Sequence, residues 1–88
     1  MASLSYELQL EFYGAKDYFM ELEDYDSAFA LDAAVDLGDA ISKQYLPRNE
    51  YLARLLTVFT SNLATQPEAK EGWEEAIRIL KTKMVPIV

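Results

Sequence analysis

Glu7 and Glu11, and again Asp32 and Asp36, stand four residues apart, so each pair shares one face of a helix. Carboxylates in such rows can hold a divalent cation, flank a glycosidic bond as acid and base, or present a negative surface to a positive partner. Asp24-x-Asp26 matches the opening of a calcium loop. However, Phe29 stands where that loop needs glycine and Val35 where it needs glutamate. Histidine and cysteine are absent. Their absence removes Ser-His-Asp and Cys-His nucleophiles, the commonest physiological acid–base group, thiolate metal sites and the Glu-x-x-His pairs of helical di-iron centres. Gly14, Gly38 and Gly72 are too far apart to form a phosphate loop. The expectation is a non-enzymatic chain with no metal and no cofactor.

The remaining use of the carboxylates is electrostatic. Residues 1–39 hold ten acids against Lys16 alone, whereas residues 40–88 hold five acids and seven bases. A negative half selects a basic protein partner and repels nucleic acid directly. The expected partner surface is formed by Glu7, Glu11, Asp17, Glu21, Asp24, Asp32, Asp36 and Asp39, with Tyr6, Tyr13 and Tyr25 as rigid anchors bearing a polar tip. Acids would speed encounter and tyrosines would hold the complex. That physical character fits a small inhibitor or immunity-type protein, of the kind phages and bacteria encode against nucleases or defence complexes. An alternative is a self-assembling bundle, a homodimer or larger, with an anion or nucleotide at a basic island of Lys43, Arg48, Tyr51 and Arg54 around Pro47. The same bases also suit a plainer role, offsetting the acids of the first half.

Elements of helical length must position these groups. Pro47, Pro67, Pro86 and a polar turn at residues 23–27 divide the chain into four segments. In residues 4–22, Leu8, Phe12, Ala15, Phe19 and Leu22 recur at steps of four and three, a core stripe. Tyr6, Leu10, Tyr13 and Met20 occupy the opposite side, so this helix is apolar on two sides. It is either central or in contact with a second molecule. Residues 4–13 also alternate as a strand would. An α+β fold with an N-terminal strand there is the minor alternative.

In residues 25–45 the inner face is Ala30, Ala33, Ala34, Leu37, Ile41 and Tyr45. From Pro47 to Ala64 it is Leu52, Leu55, Leu56, Phe59 and Leu63. A last helix begins near residues 65–67, capped by Thr65 or Gln66. It buries Ala69, Trp73, Ala76, Ile77, Leu80 and Met84, and pairs Glu74 with Arg78. Gly72 marks a late start or a close contact, and the apolar tail 84–88 is expected to cross the bundle end.

Short connections make neighbours antiparallel. The expected fold is all-α, a small antiparallel four-helix bundle occupying residues 1–88 as one domain. No apolar run reaches the ~20 residues that span a bilayer. Ser3, Ser5 and Glu7 stand where a secretory signal would have a basic flank and an apolar run, and an acidic helix repels anionic lipid. No membrane contact and a cytoplasmic location are expected.

Overall fold

The computed structural model describes residues 3–84. Four helices follow one another: α1 (Leu4–Glu21), α2 (Tyr25–Ser42), α3 (Arg48–Thr65) and α4 (Lys70–Thr82), the last entered through a 3₁₀ turn at Pro67–Ala69. Among the described residues there is no strand. Residues 4–13 lie within α1, because the stripe of Leu8, Phe12 and Phe19 has a larger interior to fill than a lone edge could offer. The sequence positions of the apolar tail beyond Met84 lie outside the described residues.

The helix ends explain where each element starts and stops. Ser3 caps α1 by accepting the Tyr6 N–H at 3.1 Å, and Asp24 caps α2 by accepting the Ser27 N–H at 3.2 Å. Between them α1 closes in a Schellman turn: the Glu23 N–H donates to the Met20 carbonyl and the Asp24 N–H to the Phe19 carbonyl. The residue that must turn left-handed is Glu23, with φ of 60°. A side chain there costs about 1–2 kcal/mol that glycine avoids. Glu23→Gly is therefore expected to stabilise the protein by about 0.5–1 kcal/mol net of the entropy glycine loses. A rise of a few degrees in Tm, read by circular dichroism, checks it.

α2 stops at Ser42, three residues earlier than the sequence pattern implies. Tyr45 does not join the core: it is 91% exposed, with φ of 53°, at the turn before Pro47. Leu46, restrained by the proline after it, then leads the chain into α3.

Glycine sets the packing order. Gly72 in the first turn of α4 sits directly on the backbone of α2: a Cβ at that position would lie 2.5 Å from the Ser27 carbonyl oxygen. The Gly72 N–H, one of the unpaired donors at the start of α4, is accepted at 3.0 Å by the buried Ser27 Oγ. So α4 takes its cap from α2. Neither Thr65 nor Gln66 caps it, and the Gln66 side chain instead accepts the Trp73 indole N–H at 3.1 Å. At the far end the Arg48 guanidinium donates to the Lys83 carbonyl at 3.0 Å. α2 and α4 thus run parallel as a close diagonal pair, and α1 and α3 lie antiparallel to them on either side.

The interior is joined across that diagonal by aromatic rings. Phe12 meets Phe59 edge-on with centroids 5.8 Å apart, and Phe59 meets Trp73 at 5.5 Å. α2 contributes Ala28, Leu31, Ala34, Val35 and Ile41, whereas Ala33 and Leu37 are only half-buried. In the last two turns of α4, Ile79 is buried beside Ala76 and Leu80, whereas Ile77 is only half-buried. Leu22 and Met84, expected inside, are exposed. Arg78 pairs with Glu75 instead of Glu74.

Candidate docking face

α1 and α2 pack on each other more extensively than any other two helices. Because both bury one stripe, both keep an opposite one. On α1 the outer row is Tyr6, Leu10, Tyr13, Asp17 and Met20, at steps of four and three. On α2 it is Tyr25, Phe29, Asp32, Asp36 and Asp39, at the same steps. The Lys16–Asp32 ion pair, 3.0 Å long, bridges the seam between the helices. Tyr13 and Met20 lie one turn either side of Lys16, and Phe29 and Asp36 one turn either side of Asp32. Both rows therefore border one side of the seam and form a continuous face.

That face is apolar as well as acidic. Tyr6, Leu10, Tyr13, Met20, Tyr25 and Phe29 are each at least 40% exposed, with Leu10 at 54% and Phe29 at 60%. Phe29 is the residue that the sequence reading missed as an anchor. Its signal was present in the spacing, one turn beyond Tyr25 and one turn before Asp32. The helices run antiparallel, so Tyr6, Leu10 and Tyr13 lie across from Asp32, Asp36 and Asp39. Met20 lies across from Tyr25 and Phe29. One wall is apolar, and the facing wall is acidic for most of its length.

The expected partner-binding acids divide into three groups. Asp17, Asp32 and Asp36 belong to the face, Asp39 continues the α2 row, and Glu7 and Glu21 flank the α1 row as exposed carboxylates. Glu11 turns to α4, where the Lys83 Nζ lies 2.7 Å from it. Asp24 is engaged as the cap of α2. Lys16 and Lys43 neutralise Asp32 and Asp39 respectively, the second pair at 3.3 Å and highly exposed. Among the described residues Glu7, Asp17, Glu21, Glu23, Asp26 and Asp36 have neither an ion pair nor a cap to make. Nor do any three carboxylates among those residues converge as metal ligands.

The basic island does not converge. Lys43 holds Asp39, Arg54 donates to the Gln44 side-chain oxygen at 3.0 Å, and Arg48 caps the end of α4. Tyr51 is buried and donates its hydroxyl to the Gly38 carbonyl at 2.9 Å. Arg48 and Tyr51 border a shallow cleft of about 280 Å³ with Ser3, Ser5, Ser42, Leu4 and Leu46, which Lys43 and Arg54 do not reach.

Burial raises the Tyr51 pKa above the ordinary 10.0; the nearby Ser5 hydroxyl opposes the shift and Asp39 adds to it. Above pH 10 the unfolded chain loses this proton before the native one does. The native state then binds more protons, and stability falls as pH rises. Tyr51→Phe is expected to lose about 1 kcal/mol near neutral pH, the value of the hydrogen bond, and to flatten the alkaline decline. Urea unfolding at pH 7 and above pH 10 measures both.

No helix among the described residues is long and apolar enough to cross a membrane. Comparison of the chain with protein-family models, with curated proteins and with solved structures found no match.

Proposed function

We propose that this chain is a non-enzymatic binding module that docks on, and thereby blocks, a basic protein of the nucleic-acid-binding or nuclease type. The observation that carries the reading is the outer face of α1 and α2, where six large exposed apolar side chains stand beside unpaired carboxylates. Its action is steric and electrostatic. The acidic rows raise the rate of encounter with a cationic surface, and the tyrosines, Leu10 and Phe29 exclude water once contact is made. A small inhibitor or immunity-type protein, of phage or bacterial kind, works in this way.

The test is capture from a host lysate on the immobilised protein at low and high salt. A strongly basic protein should be retained at low salt and released at high salt. The double reversal Asp17→Lys with Asp36→Lys should retain at least tenfold less, since both carboxylates are exposed and unpaired. Capture that is indifferent to salt and to the reversal contradicts the reading. A homodimer is the weaker alternative, because two copies meeting on this face would bring two surfaces of the same negative sign together.

A further inference from the structure

The arrangement of the two walls says more about the partner than its charge. We infer that the seam between α1 and α2 receives an amphipathic, lysine- or arginine-rich α-helix of the partner, lying along the groove with its apolar stripe on α1 and its basic edge on α2. The inference rests on the reading above and specifies the chemistry of its partner.

Length comes first. From Tyr6 to Met20 the outer row of α1 spans fifteen residues of helix, roughly 21 Å at 1.5 Å rise per residue. Anchors at steps of four, three and seven match a facing helix of similar length with one apolar stripe. Area comes next. Six side chains at about half exposure leave on the order of 500 Å² of apolar surface open, near the upper end for a monomer. With the flanking carboxylates this approaches the ~800 Å² that one partner contributes to a standard interface.

Charge then fixes the occupant. Asp32, Asp36 and Asp39 line the α2 wall and Asp17 interrupts the α1 row; Lys16 is already held by Asp32 and Lys43 by Asp39, which leaves Asp17 and Asp36 to meet an incoming base. A second copy brings the same signs and is repelled, and an anionic lipid surface likewise. The described residues contain no sheet edge, so an added strand would leave its backbone groups unpaired. A helix satisfies its own.

Two helical peptides of sixteen residues and equal positive charge test this. One carries leucine along a single stripe, and the other carries serine at the same positions. Each is titrated into ¹⁵N-labelled protein at low salt. The leucine peptide is expected to bind at least tenfold more tightly, with shift changes concentrated on Leu10, Tyr13, Met20, Tyr25 and Phe29. The exposed-site variants Leu10→Ser and Phe29→Ser, with folding checked by circular dichroism, should each lose at least threefold of that affinity and leave the serine peptide unaffected.

Equal affinity of the two peptides, with steep salt dependence, overturns the helix-in-groove inference and leaves the basic-partner reading standing. Shift changes confined to α3 and α4 overturn the inference too. So does tighter binding of a proline-interrupted peptide of the same composition. No binding of either helical peptide at low salt overturns both the inference and the reading.

Discussion

Gly72→Ala should lower stability by about 3 kcal/mol, a fall in Tm on the order of 15 °C. Alanine is the better helix former, and on propensity alone it would gain about 1 kcal/mol. The sign reverses because the new methyl has nowhere to go. It would stand 2.5 Å from the Ser27 carbonyl oxygen and 2.6 Å from the Ser27 Cα, and both are backbone. A flexible side chain could swing aside, but a helix backbone must move as a body. Parting α2 from α4 also lengthens the bond from the Gly72 N–H to Ser27 Oγ, the side-chain cap at the start of α4. Gly14→Ala is the internal control. Gly14 lies mid-helix with nothing within 4 Å of a Cβ, so the same substitution should stabilise by about 0.5–1 kcal/mol. Urea unfolding of the two variants side by side reads both signs. If both changed stability in the same direction, the close diagonal approach of α2 and α4 would be wrong.

Trp73→Ala should cost about 4 kcal/mol. The ring is wholly buried and lies against Phe59, which in turn meets Phe12, so its removal opens a hole at the junction of α1, α3 and α4. The Gln66 oxygen loses its donor as well. A chain of 88 residues has about 4–13 kcal/mol in total. The variant is therefore expected to be largely unfolded or loosely packed at 37 °C, with a broad thermal transition by circular dichroism. Trp73→Phe keeps most of the ring volume and gives up the indole N–H, and should lose about half as much. Equal losses for the two variants would mean that the hydrogen bond, not the aromatic junction, dominates at this position.

The helices themselves were legible in the sequence, because α1 and α3 alternate steps of three and four between bulky and polar residues. The two-sidedness of α1 was legible for the same reason, and it led to the face described here. The register of α2 was harder. Most positions on it are alanine, aspartate or an aliphatic residue, so several rotations about its axis bury similar area. Contacts distant in sequence decide among them, above all Ser27 with Gly72, forty-five residues away, and Gly38 with Tyr51. Gly72 announced a close contact without naming the partner. Tyr45 and Leu22 followed helical spacing but fall just past the ends of their helices. Leu22 keeps α-region angles but stands directly before left-handed Glu23, and Tyr45 is itself left-handed, so at both ends the stripe no longer points inward. Phe29 escaped notice as an anchor since the expected anchors were tyrosines, chosen for a polar tip that phenylalanine lacks. Its exposure became visible only once Ala28 and Leu31 were seen to occupy the interior.

Of the ten acids in the first half of the chain, Asp17, Asp32, Asp36 and Asp39 lie on the two-helix face, where Asp17 and Asp36 are unpaired, and the others flank it, cap α2 or turn to α4. That placement matters for binding kinetics, because a concentrated wall orients an incoming cation at a distance whereas scattered charge does not. With the captured basic partner in hand, stopped-flow association at 10 mM and 150 mM ionic strength measures this directly. The account predicts an association rate at least tenfold faster at the lower ionic strength, with most of that difference gone in the Asp17→Lys, Asp36→Lys double variant. A rate that is the same at both ionic strengths, in the native chain and in the variant alike, would contradict it.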